Sequence, residues 1–450
     1  MRKYPAILLL FAGMLLSYGQ ETKTYQFTLE EAISFALDSN YTALNSRRDI
    51  ARAIKKKWET TASGLPQLSA NLNYQNNLKQ PVTLIPGEFT GGEPGTFVPV
   101  VFGVPQIISA TATLEQLIFD GSYLVGLQAA KTFLDYTENA DEKVQLEIRK
   151  GVINAYGSVL LAEELVAIFQ KNKENLEKNL FETRKIFENG LAEEEDVEQL
   201  EITLLDVQTQ LNNAKRTEDI ARQMFKVALG IDTSETVTLS QGLDDLTQQN
   251  INLNFMESNL NVEDNIDYKI AFNLTEQRNL ELKLEKSRAL PKLNAFLNYA
   301  TQANSNDFTF LDTDQRWFQS SILGVSMNIP IMSSGLRGAK TQQAKIALEQ
   351  AKTKLEETIQ NIQLQFDTAR SNYQFTVENY QNSKKNLSLA ERIEQKNQVK
   401  FNEGIASSFE LRQAQTQLYS AQQQYIQSML DVINAKTELE TVLNTPQLKN

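Results

Sequence analysis

Two hydrophobic periods divide the chain. From Leu355 onward, Leu355, Ile359, Ile362, Phe366, Ala369, Tyr373, Thr376, Tyr380, Ser383, Leu387 and Ala390 follow steps of four and three. That 3.5-residue period marks a supercoiled helical seam. Elsewhere the period falls to two. Leu68, Ala70, Leu72 and Tyr74 alternate with Ser69, Asn71 and Asn73, and Ile108, Ala110, Ala112 and Leu114 alternate with Ser109, Thr111, Thr113 and Glu115. Leu293, Ala295, Leu297 and Tyr299 form a third set, with Phe296 spoiling its polar face, and Leu323, Val325, Met327 and Ile329 a fourth. Such stretches of about 10 residues predict strands with one apolar and one neutral-polar face.

Proline placement bounds these elements. None occurs between Pro105 and Pro291, or between Pro330 and Pro446. Those tracts are rich in Ala, Leu, Glu, Gln and Lys and predict very long helices. Pro81, Pro86, Pro94, Pro99 and Pro105 crowd a glycine-rich loop instead.

The chain is also duplicated. Gly64-Leu-Pro-Gln-Leu-Ser-Ala-Asn-Leu-Asn-Tyr74 returns at an offset of 225 as Ala289-Leu-Pro-Lys-Leu-Asn-Ala-Phe-Leu-Asn-Tyr299. Further on the offset is 214: Gly121 maps to Gly335, Leu134 to Leu348, and Phe187-Glu-Asn-Gly190 to Phe401-Asn-Glu-Gly404. The first copy thus carries 11 extra residues, in the Pro/Gly loop. The expected plan starts with a signal peptide at 1–19. A first repeat follows at 20–230, with a helix at Leu29–Thr60, strands at about 64–76 and 107–119, and helices at 121–187 and 193–229. A polar, helix-poor segment at 231–260 leads to a second repeat at 261–444. That repeat has a helix at Val262–Arg288, strands at about 290–300 and 317–330, and helices at 335–401 and 407–443, before a tail at 445–450. Each 67-residue helix would be roughly 100 Å long at 1.5 Å per residue.

Composition narrows the chemistry. The 450 residues include neither His nor Cys, which removes disulfides, thiolate metal sites, a cysteine nucleophile and the commonest general base. No phosphate loop, nucleophile elbow or metal cluster stands out, so no enzyme, cofactor or metal is expected. With 44 basic and 56 acidic residues, the net charge of −12 argues against nucleic acid as a partner. Arg2 and Lys3, the apolar stretch Ala6–Leu16 and Ser17-Tyr18-Gly19 read as a secretory signal. No later run reaches 18 consecutive apolar residues, so membrane insertion would require a β-barrel. Four strands cannot close one. Two copies would make eight strands, with a filled interior, whereas three would make 12 with room for a pore. A soluble antiparallel sheet with one buried face is the alternative reading of the same alternation.

These features together resemble the TolC-type outer-membrane efflux family. The resemblance rests on Phe27-Thr-Leu-Glu-Glu-Ala-Ile33, on Leu65-Pro-Gln-Leu68 entering a strand, on the duplicated strand–strand–long-helix plan, and on the turns at Gly190 and Gly404. It implies a mostly α fold with a small β part: two repeats forming a long α-helical coiled-coil tunnel, plus a transmembrane β-barrel with four strands per chain. It further implies a homotrimer in the outer membrane of a Gram-negative bacterium, with a large periplasmic part and contact with outer-membrane lipid. Its partners would be a periplasmic adaptor (membrane fusion protein) and an inner-membrane transporter. The function implied is a passive exit duct for efflux or type I secretion. The competing reading is a periplasmic coiled-coil structural or adaptor protein without a barrel.

The resemblance also nominates a periplasmic gate at Gly190, Glu193, Glu194, Glu195, Asp196, Phe401, Gly404 and Glu410. Phe401 stands where the family often has Tyr, and Ala406 where some members have Arg. The same residues read as helix caps: glycines at C′, and Ser407-Ser-Phe-Glu410 as a capping box. In a trimer, the four carboxylates Glu193–Asp196 of each copy would put twelve around one opening and favour cations. Glu115 and Lys292 are the charges on the expected lumen face, and Tyr74, Tyr299, Trp317 and Phe318 are candidates for an aromatic belt. The segment 231–260 with the C-terminal tail reads either as an equatorial belt around a tunnel or as a plain linker.

Overall fold

A computed structural model describes residues 24–251 and 258–444. The expected signal peptide and tail lie outside the described residues, as does part of the inter-repeat segment. The chain divides into two compact units.

The first unit comprises described residues up to 49, together with 139–269 and 357–444. It is a helical core built on the halves' duplicated plan. Strand β1 (Thr24–Phe27) leads to helix α1 (Leu29–Ser39), whose start is a capping box: Glu31 N donates to Thr28 Oγ (3.3 Å) and Thr28 N to Glu31 Oε2 (2.8 Å). Ala32 and Ala36 then turn a wholly buried face inward, while Phe27 packs on Phe35. So the Phe27–Ile33 motif is an N-cap joined to a core plug. Helix α3 (Gly121–Glu188) supplies Val152, Ile153, Tyr156, Val159 and Leu160 to this core. It is the one described helix long and apolar enough by composition to cross a membrane, and just under half of that apolar stretch is buried inside the fold. Helices α4 (Glu194–Leu229), α7 (Leu336–Asn402) and α8 (Ser408–Leu443) complete the layer. The heptad seam faces in: Ile362, Phe366, Ala369, Tyr373, Thr376, Tyr380, Ser383 and Ala390 are buried. Thr376 satisfies its hydroxyl on the Tyr373 carbonyl (2.9 Å). Charged pairs bind α3 to α8, with Arg149 bonded to Glu440 (2.7 Å) and Lys150 to Glu438.

The second unit comprises 50–138 and 270–356. Its centre is an antiparallel sheet in the order β2 (Gln67–Asn76), β5 (Gln106–Phe119), β7 (Lys292–Ser305), β8 (Trp317–Asn328). The second helix, α2 (Tyr41–Ala62), leads into β2, and α6 (Ile266–Ser287) leads into β7.

Several expectations change. The helix expected across Leu29–Thr60 is two helices, because Asn40 breaks it. Its backbone is extended at ψ 136°, its Oδ1 caps Thr42 N (2.8 Å) and its Nδ2 donates to the Ala228 carbonyl (2.8 Å). Strand β7 runs to Ser305, five residues past the expected end, because it pairs with β5 as far as Gln106. The Pro/Gly loop is ordered as a hairpin of β3 (Val82–Pro86) and β4 (Phe97–Val101). The described part of the segment 231–260 is structured, although only eight of its residues are helical. It carries β6 (Thr236–Leu239), which pairs in parallel with β1, and helix α5 (Leu243–Asn250), which buries Leu243 and Leu246. Its polar composition hid a two-turn amphipathic helix.

One joint shows why glycine recurs at the helix ends. Gly230 and Asn444, 214 residues apart, both end helices in the left-handed region, at φ 76° and 52°. A Cβ on Gly230 would lie 2.5 Å from the Ser39 carbonyl oxygen, whereas one on Gly404 (φ 72°) would meet nothing within 4 Å. Gly404→Ala should therefore lower stability by only about 1–2 kcal/mol, from backbone strain. Gly230→Ala should lower the thermal midpoint in detergent clearly further, and equal midpoints for the two would contradict this account of the α1–α4 joint.

Candidate functional site

The tip of the first unit is made by two turns of one design. After α3, Gly190 adopts φ 74°, and Leu191 N donates back to the Ile186 carbonyl (3.0 Å). After α7, Gly404 adopts φ 72°, and Ile405 N donates to the Lys400 carbonyl (2.8 Å). Both are six-to-one helix stops that need a positive φ. The next helices begin alike. Asp196 Oδ2 accepts from Glu193 N (3.3 Å), and Glu410 Oε2 accepts from Ser407 N (2.9 Å). Asp196 and Glu410 are also 214 residues apart, so these two of the nominated carboxylates are one position of the repeat. Each is turned onto its own helix N-terminus, where negative charge suits the dipole.

Between the turns lies a groove of about 800 Å³. Of the nominated residues, Asp196, Phe401 and Gly404 line it. Glu193, Glu194, Glu195 and Glu410 are exposed to solvent and do not. Phe401 is half-buried there with Ala406. A phenyl ring and a methyl group provide no side-chain hydrogen bond, so these two positions form no polar latch.

Sequence reasoning passed over Leu191 and Ile405. Each directly follows a turn glycine, again 214 residues apart, and they are 81% and 71% exposed. An apolar residue there usually folds back against its own helix; here both point outward, with Phe181 (65% exposed) beside Leu191 in the groove lining. The equal offset was the available signal. Higher on α7, burial pushes the half-buried Glu394 carboxyl above its ordinary range. The Tyr419 hydroxyl is pushed up as well, by burial and then by the Glu394 charge.

The sheet sorts the remaining nominations by register. Cross-strand partners share a face, and successive residues alternate. The row Tyr74–Ile108–Ala303–Trp317 crosses all four strands, and Tyr299 lies two rungs below on the same face. That face also carries Leu68, Leu72, Leu323, Val325 and Met327, each 59–79% exposed. Phe318 belongs to the opposite face, opposite Gln302, and so cannot join a belt with Trp317. An unrecognised Phe308-Thr-Phe310 brings two rings edge-on to Tyr74, at 5.8 and 6.0 Å. Glu115 and Lys292 lie on the polar face. Glu115 is opposite Gln67 and Phe296, and Lys292 is paired with Asp120 (3.4 Å). Phe296 is tolerated on that face because its partner is Gly324, whose absent side chain makes room for the ring. Among the described residues no group of three or more carboxylates is placed to hold a metal ion.

The sequence signature of the outer membrane efflux protein family matches residues 42–231 and 274–445, most of the chain. The chain belongs to the outer membrane efflux protein family. It is accordingly an outer-membrane exit duct for efflux, and its family is one of channels. Membership of this family, not the sheet alone, sets aside the alternative of a coiled-coil adaptor without a barrel. Solved structures agree in fold. CusC matches with a TM-score of 0.72 at 17% identity, covering 92% of each chain. VceC of Vibrio cholerae matches at 0.71 and 14%, covering 92% of this chain and 95% of the other. The CmeC outer membrane channel of Campylobacter jejuni matches at 0.73 and 15%, covering 97% and 92%. No curated protein is similar at a significant level.

Glu394 yields a pH prediction for this efflux protein. A carboxyl whose folded pKa is raised carries no penalty below its unfolded pKa, and loses stability for the fold as pH rises through the folded value. Glu394→Gln should therefore raise the thermal midpoint at pH 7 and leave it unchanged at pH 4. A midpoint lowered at pH 7 would show that the carboxylate is stabilising instead.

Proposed function

We propose that three copies close a 12-stranded barrel, and that the tip turns of each copy dock a periplasmic adaptor joined to an inner-membrane pump. The observation that carries this is the sheet itself. Its inner strands β5 and β7 are paired on both sides, while β2 and β8 each leave one edge open beside an apolar, exposed face. Each unpaired backbone group would cost several kcal/mol in lipid, so the edges must be joined by another copy. Family membership supports trimeric channels that work with pumps. Purified protein in detergent should have the mass of three chains and conduct in planar bilayers; a water-soluble monomer without conductance would overturn the reading.

The outward Leu191 and Ile405 support the adaptor half of the proposal. Exposed apolar residues repeated in both halves suit capture of an amphipathic helical tip. Leu191→Ser with Ile405→Ser should reduce crosslinking to an adaptor and efflux in cells at least tenfold, while trimer mass and bilayer conductance persist. Retained efflux would reject this docking surface.

Threefold symmetry would also collect the exposed Glu193, Glu194 and Glu195 around one opening, together with Asp196 and Glu410. Their field favours cations and is screened beyond roughly 8 Å at physiological salt. Replacing Glu193–Asp196 and Glu410 by their amides should bring the cation-to-anion permeability ratio toward one, and an unchanged ratio would reject a selective ring. The segment 231–260, tied to the core through β6 and α5, suits an equatorial belt better than a free linker.

A further inference from the structure

The hairpin β3–β4 is the feature that neither the duplication nor the efflux role accounts for. The second repeat has no described strands at the equivalent place, between β7 and β8. It leaves the sheet between β2 and β5, at the end opposite the helices, and Asn77 N donates to the Pro105 carbonyl (2.7 Å) at its base. Its own bonds hold it in shape: Gly87 N donates to the Thr96 carbonyl (2.7 Å), and Gly92 N to the Gly87 carbonyl (2.8 Å).

Its two faces differ. Register places Val82, Leu84 and Pro86 with Phe97, Pro99 and Val101, and all six are exposed. Leu84 and Phe97 are 62% and 65% exposed. On the other face Ile85, Val98 and Val100 are half-buried. An ordered hairpin with an entirely apolar outer face marks an interaction site. We propose that this face packs against the same hairpin of the neighbouring copies, so that three hairpins form a cap over the outer mouth of the barrel. The inference rests on the trimer proposed above.

Three observations choose this occupant. The hairpin springs from β2, the edge strand that must join the next copy, so it is continuous with that seam. Between residues 77 and 105 the only charges are Lys79, Glu88 and Glu93, a net −1, which offers little to the phosphates of a lipid surface. Pro99 within β4 and Pro81 and Pro86 around β3 lack N–H donors, which blunts the hairpin against strand addition by a foreign peptide and leaves face-to-face packing.

The chain has no cysteine, so a single introduced thiol is unique. Leu84→Cys in intact outer membranes, treated with a short bis-maleimide, should give a crosslinked dimer of this chain. A three-armed maleimide should give a trimer. Replacing residues 79–103 by a short Gly/Ser turn should raise single-channel conductance at least twofold. Leu84→Ser with Phe97→Ser, which keeps the chain length, should raise it in the same direction. Native mass of each variant is measured in parallel. A trimer by mass with no crosslink and unchanged conductance overturns the cap but leaves the duct standing. Crosslinking to lipid or to another protein in place of a second copy also overturns it. A wild-type monomer overturns the underlying assembly instead.

Discussion

Backbone hydrogen bonding in lipid is the constraint on which everything else here depends. A strand in water can leave its edge to solvent, but a strand in hydrocarbon has no partner except another strand. Within one chain, β5 and β7 are satisfied and β2 and β8 are not. On the proposed assembly the membrane part has no complete fold as a monomer, and closing the barrel and assembling the duct are one event. The same constraint explains the composition of the sheet. One face is mainly Leu, Ala, Val and aromatic, broken by Thr301, Gln319 and Ser321; the other is mainly Ser, Thr, Asn and Gln but also holds Phe296, Phe318 and Ile322, and the lysine at the start of β7 is held by Asp120.

The helical unit obeys a different rule. Helices satisfy their own backbones, so the long ones need only a seam to pack on and a stop at each end. The seam supplies Ile362, Phe366, Ala369 and Tyr373, and the stops are built twice from the same parts, at Gly190 and Gly404. The tip carboxylates follow from that economy. Asp196 and Glu410 are first of all caps, recurring because the repeat recurs, and any ring of charge at an opening is a consequence of symmetry acting on a local device.

The two halves diverge where packing no longer enforces equivalence. Along the helices the 214-residue offset holds from Gly121–Gly335 to Gly230–Asn444, because an insertion would break the seam. The connections between strands carry no such penalty. One grew into the hairpin β3–β4, and the other kept Phe308 and Phe310 to pack on Tyr74.

The sequence by itself determined the class of the fold. Period, proline spacing and duplication are local or self-referential signals, and they sufficed for four strands, two very long helices and the turns between them. Short elements escaped it. Thr24–Phe27 and Thr236–Leu239 are strands only because they lie side by side, and Leu243–Asn250 is a helix because α8 covers Leu243 and Leu246. The tertiary structure alone decided which side chains of different strands lie side by side. Adjacent strand residues such as Trp317 and Phe318 face opposite ways by alternation alone, but only register shows that Trp317 lies in a row with Ala303, Ile108 and Tyr74. Exposure was likewise invisible. Leu191 and Ile405 read as ordinary apolar residues after a helix stop, and only the folded tip shows that nothing of their own chain covers them. Burial and pairing are properties of what arrives from far along the chain, which a local pattern does not contain.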